Sequence, residues 1–351
     1  MKKAVVFFEH VGLPFERNFL NKLKNMDLQI IEFKDSNHLH YIKDHRIYNN
    51  VLDFCQEHNY EYLFLPYFQF PEYLLSSLKV RKGFKTKIVL ISVFSWWHNS
   101  EARANSYKEL LDLDVVKYLF YLTTDPSKKI VIPDFAKVLH NRKDILKITD
   151  VTREEPSKYK YKNCRAEYGL SDNEICVLFF GSAYYGKGID ILANAINIVN
   201  NPQIKFFIAA TSDFNFDSTV VSEISNKENV KIVSWKEKIP NRELLRLFSI
   251  SDLIVLPYRS NYEYGSSSVF SHAVYAGKIV LASDIYPFND VINNYKLGYL
   301  FETEDYKSLA KIFNSLTIEE VKNKTEKAEN ERFIIDSENL SITKKEDILN
   351  V

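Results

Sequence analysis

Short apolar runs alternate with helical patterns along the whole chain, and that alternation is what most restricts the fold. In the first half the runs are AVVFF at 4–8, LQIIEF at 28–33, YLFL at 62–65, IVLISV at 88–93 and YLFYL at 118–122. They are short and rich in β-branched or aromatic side chains, as expected of strands buried on both faces. Between them apolar residues recur at three- and four-residue spacing: Phe15, Phe19, Leu20 and Leu23, then Val51, Leu52 and Cys55, then Leu110 and Leu111. Strand, helix, strand in repetition predicts a parallel sheet with helices on both sides.

A charged stretch at 151–163, with Pro156 and no core-forming periodicity, reads as a linker. The alternation then restarts with ICVLFF at 175–180, KFFIAA at 205–210, VKIV at 230–233, LIVLP at 253–257, KIVLAS at 278–283 and YLF at 299–301. Helices are expected at about 188–200, 217–226, 241–250, 266–276 and 305–316, followed by two terminal helices in the polar segment from 317. The expected class is α/β, with two Rossmann-like doubly wound domains facing a cleft. Residues 1–150 form the first, 151–163 the linker, 164–316 the second and 317–351 the terminal helices. In such sheets ligands sit beyond the carboxyl ends of the strands.

Charge excludes one class of partner. Lys plus Arg and Asp plus Glu both total 46, so the net charge is zero and nothing draws the whole protein to nucleic acid. Any anion site has to be local. Cys55, Cys164 and Cys176 are odd in number and widely spaced, which argues against a disulfide framework or zinc ribbon and suits a reducing cytoplasm. The opening MKKAVVFFEH reaches Glu9 and His10 too soon for a signal-peptide core. No apolar run approaches the ~18 residues that a membrane span needs.

Glycine is scarce, and its positions are therefore informative. Only nine occur, where ordinary usage of ~7% would give about 25. Three of them, Gly181, Gly186 and Gly188, fall in VLFFGSAYYGKGIDIL, directly between a predicted strand and an amphipathic helix. The string nearly matches the phosphate loop of nucleotide hydrolases, but the Ser or Thr that would hold magnesium there is Gly188. No dinucleotide fingerprint occurs either. What remains is shared physics: open backbone N–H groups, the positive end of a helix, and the full charge of Lys187, a combination suited to a diphosphate. The competing reading is a tight turn with a solvated lysine.

A second loop, PYRSNYEYGSSSVF, runs from Pro257 to a helix with the apolar face Val269, Phe270, Ala273 and Val274. Gly265, Ser266, Ser267 and Ser268 at its start leave N–H groups open to an anion or to sugar hydroxyls, and Glu263 could accept from such hydroxyls. Alternatively, Ser266 is only the helix cap and Glu263 a surface charge.

These motifs, in this order and at this spacing over about 165–316, resemble the retaining nucleotide-sugar glycosyltransferases of the GT-B fold, the group 1 (family 4) class. The first half resembles that class more loosely, through Gly12 and Glu16 after the first strand and His98 after a later one. The resemblance implies that Gly181 and Lys187 hold the donor diphosphate, with Glu263 and the backbone at Gly265–Ser268 near the sugar and phosphates. Ile239 and Pro240 would lie near the base. His98 would reach the sugar from the other domain, with His10 and Gly12 on the acceptor side. Lys187, Glu263 and His98 are the expected catalytic set.

Two positions depart from the family pattern: Ser182 stands where many members have arginine, and His272 where a second glutamate binds ribose hydroxyls. Arg259, Lys236 or Lys238 are candidates to restore the charge. The departures leave open a non-catalytic nucleotide-sugar-binding partner, and a sugar-nucleotide 2-epimerase would share the two-domain plan. The resemblance further implies hexosyl transfer with retention, no cofactor beyond the donor, no metal, and a role in surface polysaccharide or glycolipid synthesis. The absence of His/Cys clusters at ligand spacing agrees with the metal expectation.

Lys79, Arg81, Lys82, Lys85 and Lys87 lie close together with no acid among them, and residues 1–150 carry 22 basic against 18 acidic side chains. Such an edge could dock on anionic lipid at the inner membrane face, toward a saccharide or lipid-linked acceptor. The alternative is a solvated basic turn.

Overall fold

The computed structural model describes residues 2–7, 28–33, 46–66, 68–92, 100–125, 131–149, 159, 161, 164–212, 219–235, 237 and 239–339. His10, Gly12, His98, Lys236, Lys238 and the helical pattern at 15–23 lie outside them.

The first sheet holds β1 (Lys2–Phe7), β2 (Leu28–Phe33), β3 (Tyr62–Pro66), β4 (Lys87–Ser92), β5 (Val116–Thr123) and β6 (Ile145–Thr149). All pairings are parallel, in the order β2-β1-β3-β4-β5-β6. Around it lie the helices α1 (Arg46–Glu57), α2 (Pro71–Lys79) and α3 (Glu101–Leu111). Alternate residues of the strands feed two cores: Val5, Leu63, Leu65, Leu90 and Tyr121 on one face, Ala4, Val6, Phe64, Val89 and Phe120 on the other. Two-sided burial is why these strands read as nearly continuous apolar runs.

The second sheet comprises β7 (Ile175–Ala183), β8 (Ile204–Ser212), β9 (Val230–Ser234), β10 (Leu253–Leu256), β11 (Ile279–Ser283) and β12 (Gly298–Phe301). Its order is β12-β11-β10-β7-β8-β9, again wholly parallel. Helices α4 (Ile189–Ile198), α5 (Thr219–Ser225), α6 (Asn241–Ile250), α7 (Ser268–Tyr275), α8 (Phe288–Tyr295) and α9 (Tyr306–Ser315) complete the alternation. Beyond Thr317 the described chain is one helix, α10 (Ile318–Asn339). A reciprocal cap starts it, with Glu320 N–H donating to Thr317 Oγ1 and Thr317 N–H to Glu320 Oε2.

Three of these elements were not expected from the sequence; the first is α2, which buries Leu74, Leu75 and Leu78. Strand β6 is an edge strand pairing only with β5, so its charged flanks and half-apolar pattern are tolerated. Helix α8 buries only Phe288, Val291 and Ile292, a narrow stripe in an otherwise polar segment.

In the second sheet the strand order reverses between β7 and β10, which are neighbours. The loops leaving their carboxyl ends, 184–188 and 257–267, therefore stand side by side at the switch point, where open α/β sheets bind ligands. The carboxyl end of β5 in the first sheet meets the same region. Tyr121 Oη donates to the Tyr264 carbonyl at 3.3 Å, Tyr286 Oη donates to Asp125 Oδ2 at 3.1 Å, and the Tyr264 ring packs on the first-sheet core.

Candidate functional site

Strand β7 ends in Ser182 and Ala183, and the chain turns through a single 3₁₀ turn, Tyr185–Lys187, into α4. Gly188 makes the junction. Its φ of +62° is left-handed, and a Cβ there would stand 1.8 Å from the Pro257 carbonyl oxygen. Only glycine permits this approach. The second loop closes on the first through its backbone, Arg259 N–H donating to the Gly186 carbonyl at 3.0 Å. Asn261 and Tyr184 crowd the same glycine.

This clasp encloses Lys187. The residue is 8% exposed, so the solvated-lysine reading does not hold. Its Nζ stands 3.7 Å from the ring centroid of Tyr258, 4.2 Å from that of Tyr262 and 5.9 Å from that of Tyr184. Among the described residues no carboxylate pairs with it. Burial pushes the ammonium well below the ordinary lysine range. The two nearer tyrosines also reach the start of α7: Tyr262 Oη donates to the Ser266 carbonyl at 2.7 Å, and Tyr258 Oη shares a 3.2 Å hydrogen bond with Ser267 Oγ. The cation and the positive end of a helix are thus built into one wall.

Helix α7 begins two residues later than expected, and its cap is Ser267, whose Oγ accepts from Phe270 N–H at 3.3 Å; Ser266 is not the cap. Glu263 precedes it, half-buried, its N–H donating to the Ser260 carbonyl at 3.0 Å; burial raises the proton affinity of its carboxyl, which makes no hydrogen bond or ion pair among the described residues. Tyr264 follows in a left-handed conformation at φ +64°, and Gly265 lies against the Tyr262 ring and carbonyl. Gly181 and Ser182 lie at the carboxyl end of β7, and Lys187, Gly265, Ser266, Ser267 and Ser268 belong to the two neighbouring loops and the helix start beside them. Ile239 and Pro240 lead into α6 after β9, two strands from β7, or ~10 Å at ordinary strand spacing.

Two candidates are placed differently from expectation. Arg259 is not a spare cation: its guanidinium holds Asp190 at 2.6 and 3.0 Å and the Tyr185 carbonyl at 2.6 Å, and Glu304 lies 3.6 Å from Nε. His272 is 9% exposed and packs against Phe248 and Tyr159, its Nδ1 2.5 Å from the Tyr159 hydroxyl. That nitrogen is occupied by the protein itself.

The tyrosines of the clasp were missed in the sequence. Their signal was the i, i+4 spacing of Tyr258 and Tyr262 in a loop directly after a strand, visible but uninterpretable until Lys187 lay between them. Among the described residues no group of three or more His, Cys, Asp or Glu side chains converges as for a metal ion. No helix among them is long and apolar enough to cross a membrane.

Two doubly wound parallel sheets meeting through their carboxyl ends define the GT-B fold, and the comparisons place the chain there. It aligns over 99% of its length with all of HepE from Anabaena, solved with UDP and glucose, at TM-score 0.71 and 16% identity. Sucrose-phosphate synthase from Thermosynechococcus elongatus matches at TM-score 0.64 and 15% identity, covering 99% of this chain and 96% of that one. WaaG, a glycosyltransferase involved in lipopolysaccharide biosynthesis, matches at TM-score 0.66 and 12% identity, covering 99% and 100%. At such identities the likeness is one of fold. The family of glycosyl transferases group 1 matches residues 160–344, more than half of the sequence, and the chain belongs to that family. No curated protein sequence matches it.

Proposed function

We propose that this group 1 glycosyltransferase moves a hexosyl group from a nucleoside-diphosphate sugar to a hydroxyl acceptor with retention. The observation that carries the reading is the buried, carboxylate-free Lys187 ammonium beside the start of α7. As the anomeric bond breaks, negative charge grows on the leaving diphosphate. A preorganised cation and helix N–H groups stabilise that charge without a metal. Glu263, half-buried and with its carboxyl unpartnered among the described residues, is suited to accept from the donor sugar's hydroxyls. Gly181 and Ser182 line the phosphate turn, Ile239 and Pro240 the base side, and His98, His10 and Gly12 belong to the acceptor side. HepE was solved with UDP and glucose, which supports a nucleotide-sugar donor here.

The proposal extends to a place in surface polysaccharide or glycolipid assembly at the cytoplasmic membrane face. WaaG's involvement in lipopolysaccharide biosynthesis supports it by analogy. The basic edge is less free than its sequence suggests, because Lys79 pairs with Glu109 at 2.6 Å and Arg81 pairs with Asp53. Lys82 and Lys85 remain exposed beside Val80, which is 79% exposed.

A thermal-shift panel of UDP-glucose, GDP-mannose and ADP-glucose tests the donor class. Saturation at one hundred times the dissociation constant adds ~2.7 kcal/mol, so at least one member is expected to raise the melting temperature. No shift with any of them would count against a nucleotide-sugar donor.

A further inference from the structure

We propose that Tyr258 and Tyr262 are positioning residues for Lys187: they hold it unpaired at the start of α7, so that a donor diphosphate binds together with a proton taken from solvent. The inference rests on the donor reading above and adds a role for two tyrosines and a coupling to protons.

The geometry sets up a near balance. Two close rings attract a desolvated cation. Against this stands the cost of taking an ammonium out of water. No charged group on the neighbouring segments supplies Lys187 with a counter-charge among the described residues. The turn and α4 bring Tyr184, Tyr185 and Asp190, and the Asp190 carboxylate is consumed by Arg259. The second loop brings Tyr258, Arg259, Tyr262 and Glu263, of which Glu263 makes no ion pair among the described residues. Glu304, from the segment after β12, is taken up by Ser260 and Arg259. From α7 comes only the positive helix end, which disfavours a second positive charge. A diphosphate diester entering this wall supplies the missing anion and tips Lys187 to its charged form. The tyrosine hydroxyls matter separately from the rings. Bonded to Ser266 and Ser267, they keep the ammonium and the helix N–H groups in one fixed relation.

The test is calorimetric titration of the full chain at mildly alkaline pH, using whichever of UDP-glucose, GDP-mannose and ADP-glucose binds tightest. Their diphosphates are esterified at both ends, keep only strongly acidic oxygens, and exchange no proton in this range. Observed enthalpy is plotted against buffer ionisation enthalpy. The wild type is expected to give a positive slope, meaning proton uptake. Tyr258→Ala and Tyr262→Ala leave room for water to solvate the ammonium, so Lys187 is already charged in the free protein and the slope falls toward zero while binding persists. Tyr258→Phe keeps the ring and therefore the slope, which separates the cage from general destabilisation. A flat slope in a wild type that binds the donor overturns the inference and leaves the donor reading standing, as does a slope unchanged in both Ala variants. Failure of every nucleotide sugar to bind removes the donor reading and the inference with it.

Discussion

A lysine with no carboxylate partner inside a ring of tyrosines is a poor choice for stability. Burial lowers its proton affinity below the ordinary value of 10.5, so between the folded-state value and 10.5 the unfolded chain binds more protons than the folded one. Across that window the stability of the free protein rises with pH, and below it the penalty is fully present. Replacing the ammonium with an apolar chain of similar length removes the penalty. Lys187→Met is therefore expected to raise the melting temperature of the ligand-free protein by about 2–4 °C, roughly 1 kcal/mol. The difference from wild type should shrink as pH climbs toward 10.5. Equal melting temperatures at neutral pH would mean that Lys187 is solvated or paired. Stability given up at one residue in this way is common where a site is built for a ligand.

At the level of elements, the strands buried on both faces were legible because two-sided burial erases the polar half of the pattern. Eleven runs in the sequence match eleven strands to within a few residues. Strand β6 was not legible, since an edge strand needs fewer apolar positions, and α8 offered only Phe288, Val291 and Ile292 as a stripe. The glycine turn between strand and helix was readable from Gly181, Gly186 and Gly188 alone. Its tertiary reason was not. Gly188 is required by the Pro257 carbonyl, 1.8 Å from where a Cβ would sit, and that neighbour lies far along the chain. The same distance in sequence hid the Asp190 partner that removes Arg259 from the candidate cations, and the Tyr159 hydroxyl that occupies His272. Local signals named the two loops; only the sheet order brought them together.

Across the whole molecule, the two lobes meet in a small polar cluster. Asp125 and Lys147 form a 2.7 Å ion pair whose side chains are 5% and 6% exposed, and Tyr286 from the second lobe donates to the same carboxylate. Tyr121 holds the carbonyl of Tyr264, the residue beside Glu263. Removing one partner of a buried pair strands the other charge. Lys147→Met should therefore cost about 3–5 kcal/mol, read as a lower urea midpoint; an unchanged midpoint would mean the pair is hydrated. The cluster links the carboxyl end of β5 to the loop that carries Glu263, so both lobes bear on one site. The most direct test of that site is release of nucleoside diphosphate from the best-bound nucleotide sugar, with wild type and Lys187→Ala compared at saturating donor. Loss of one such charge-stabilising group predicts a fall of ~10²–10³-fold in rate with the fold intact, whereas near-wild-type release by Lys187→Ala would contradict the assignment of this wall to the leaving diphosphate.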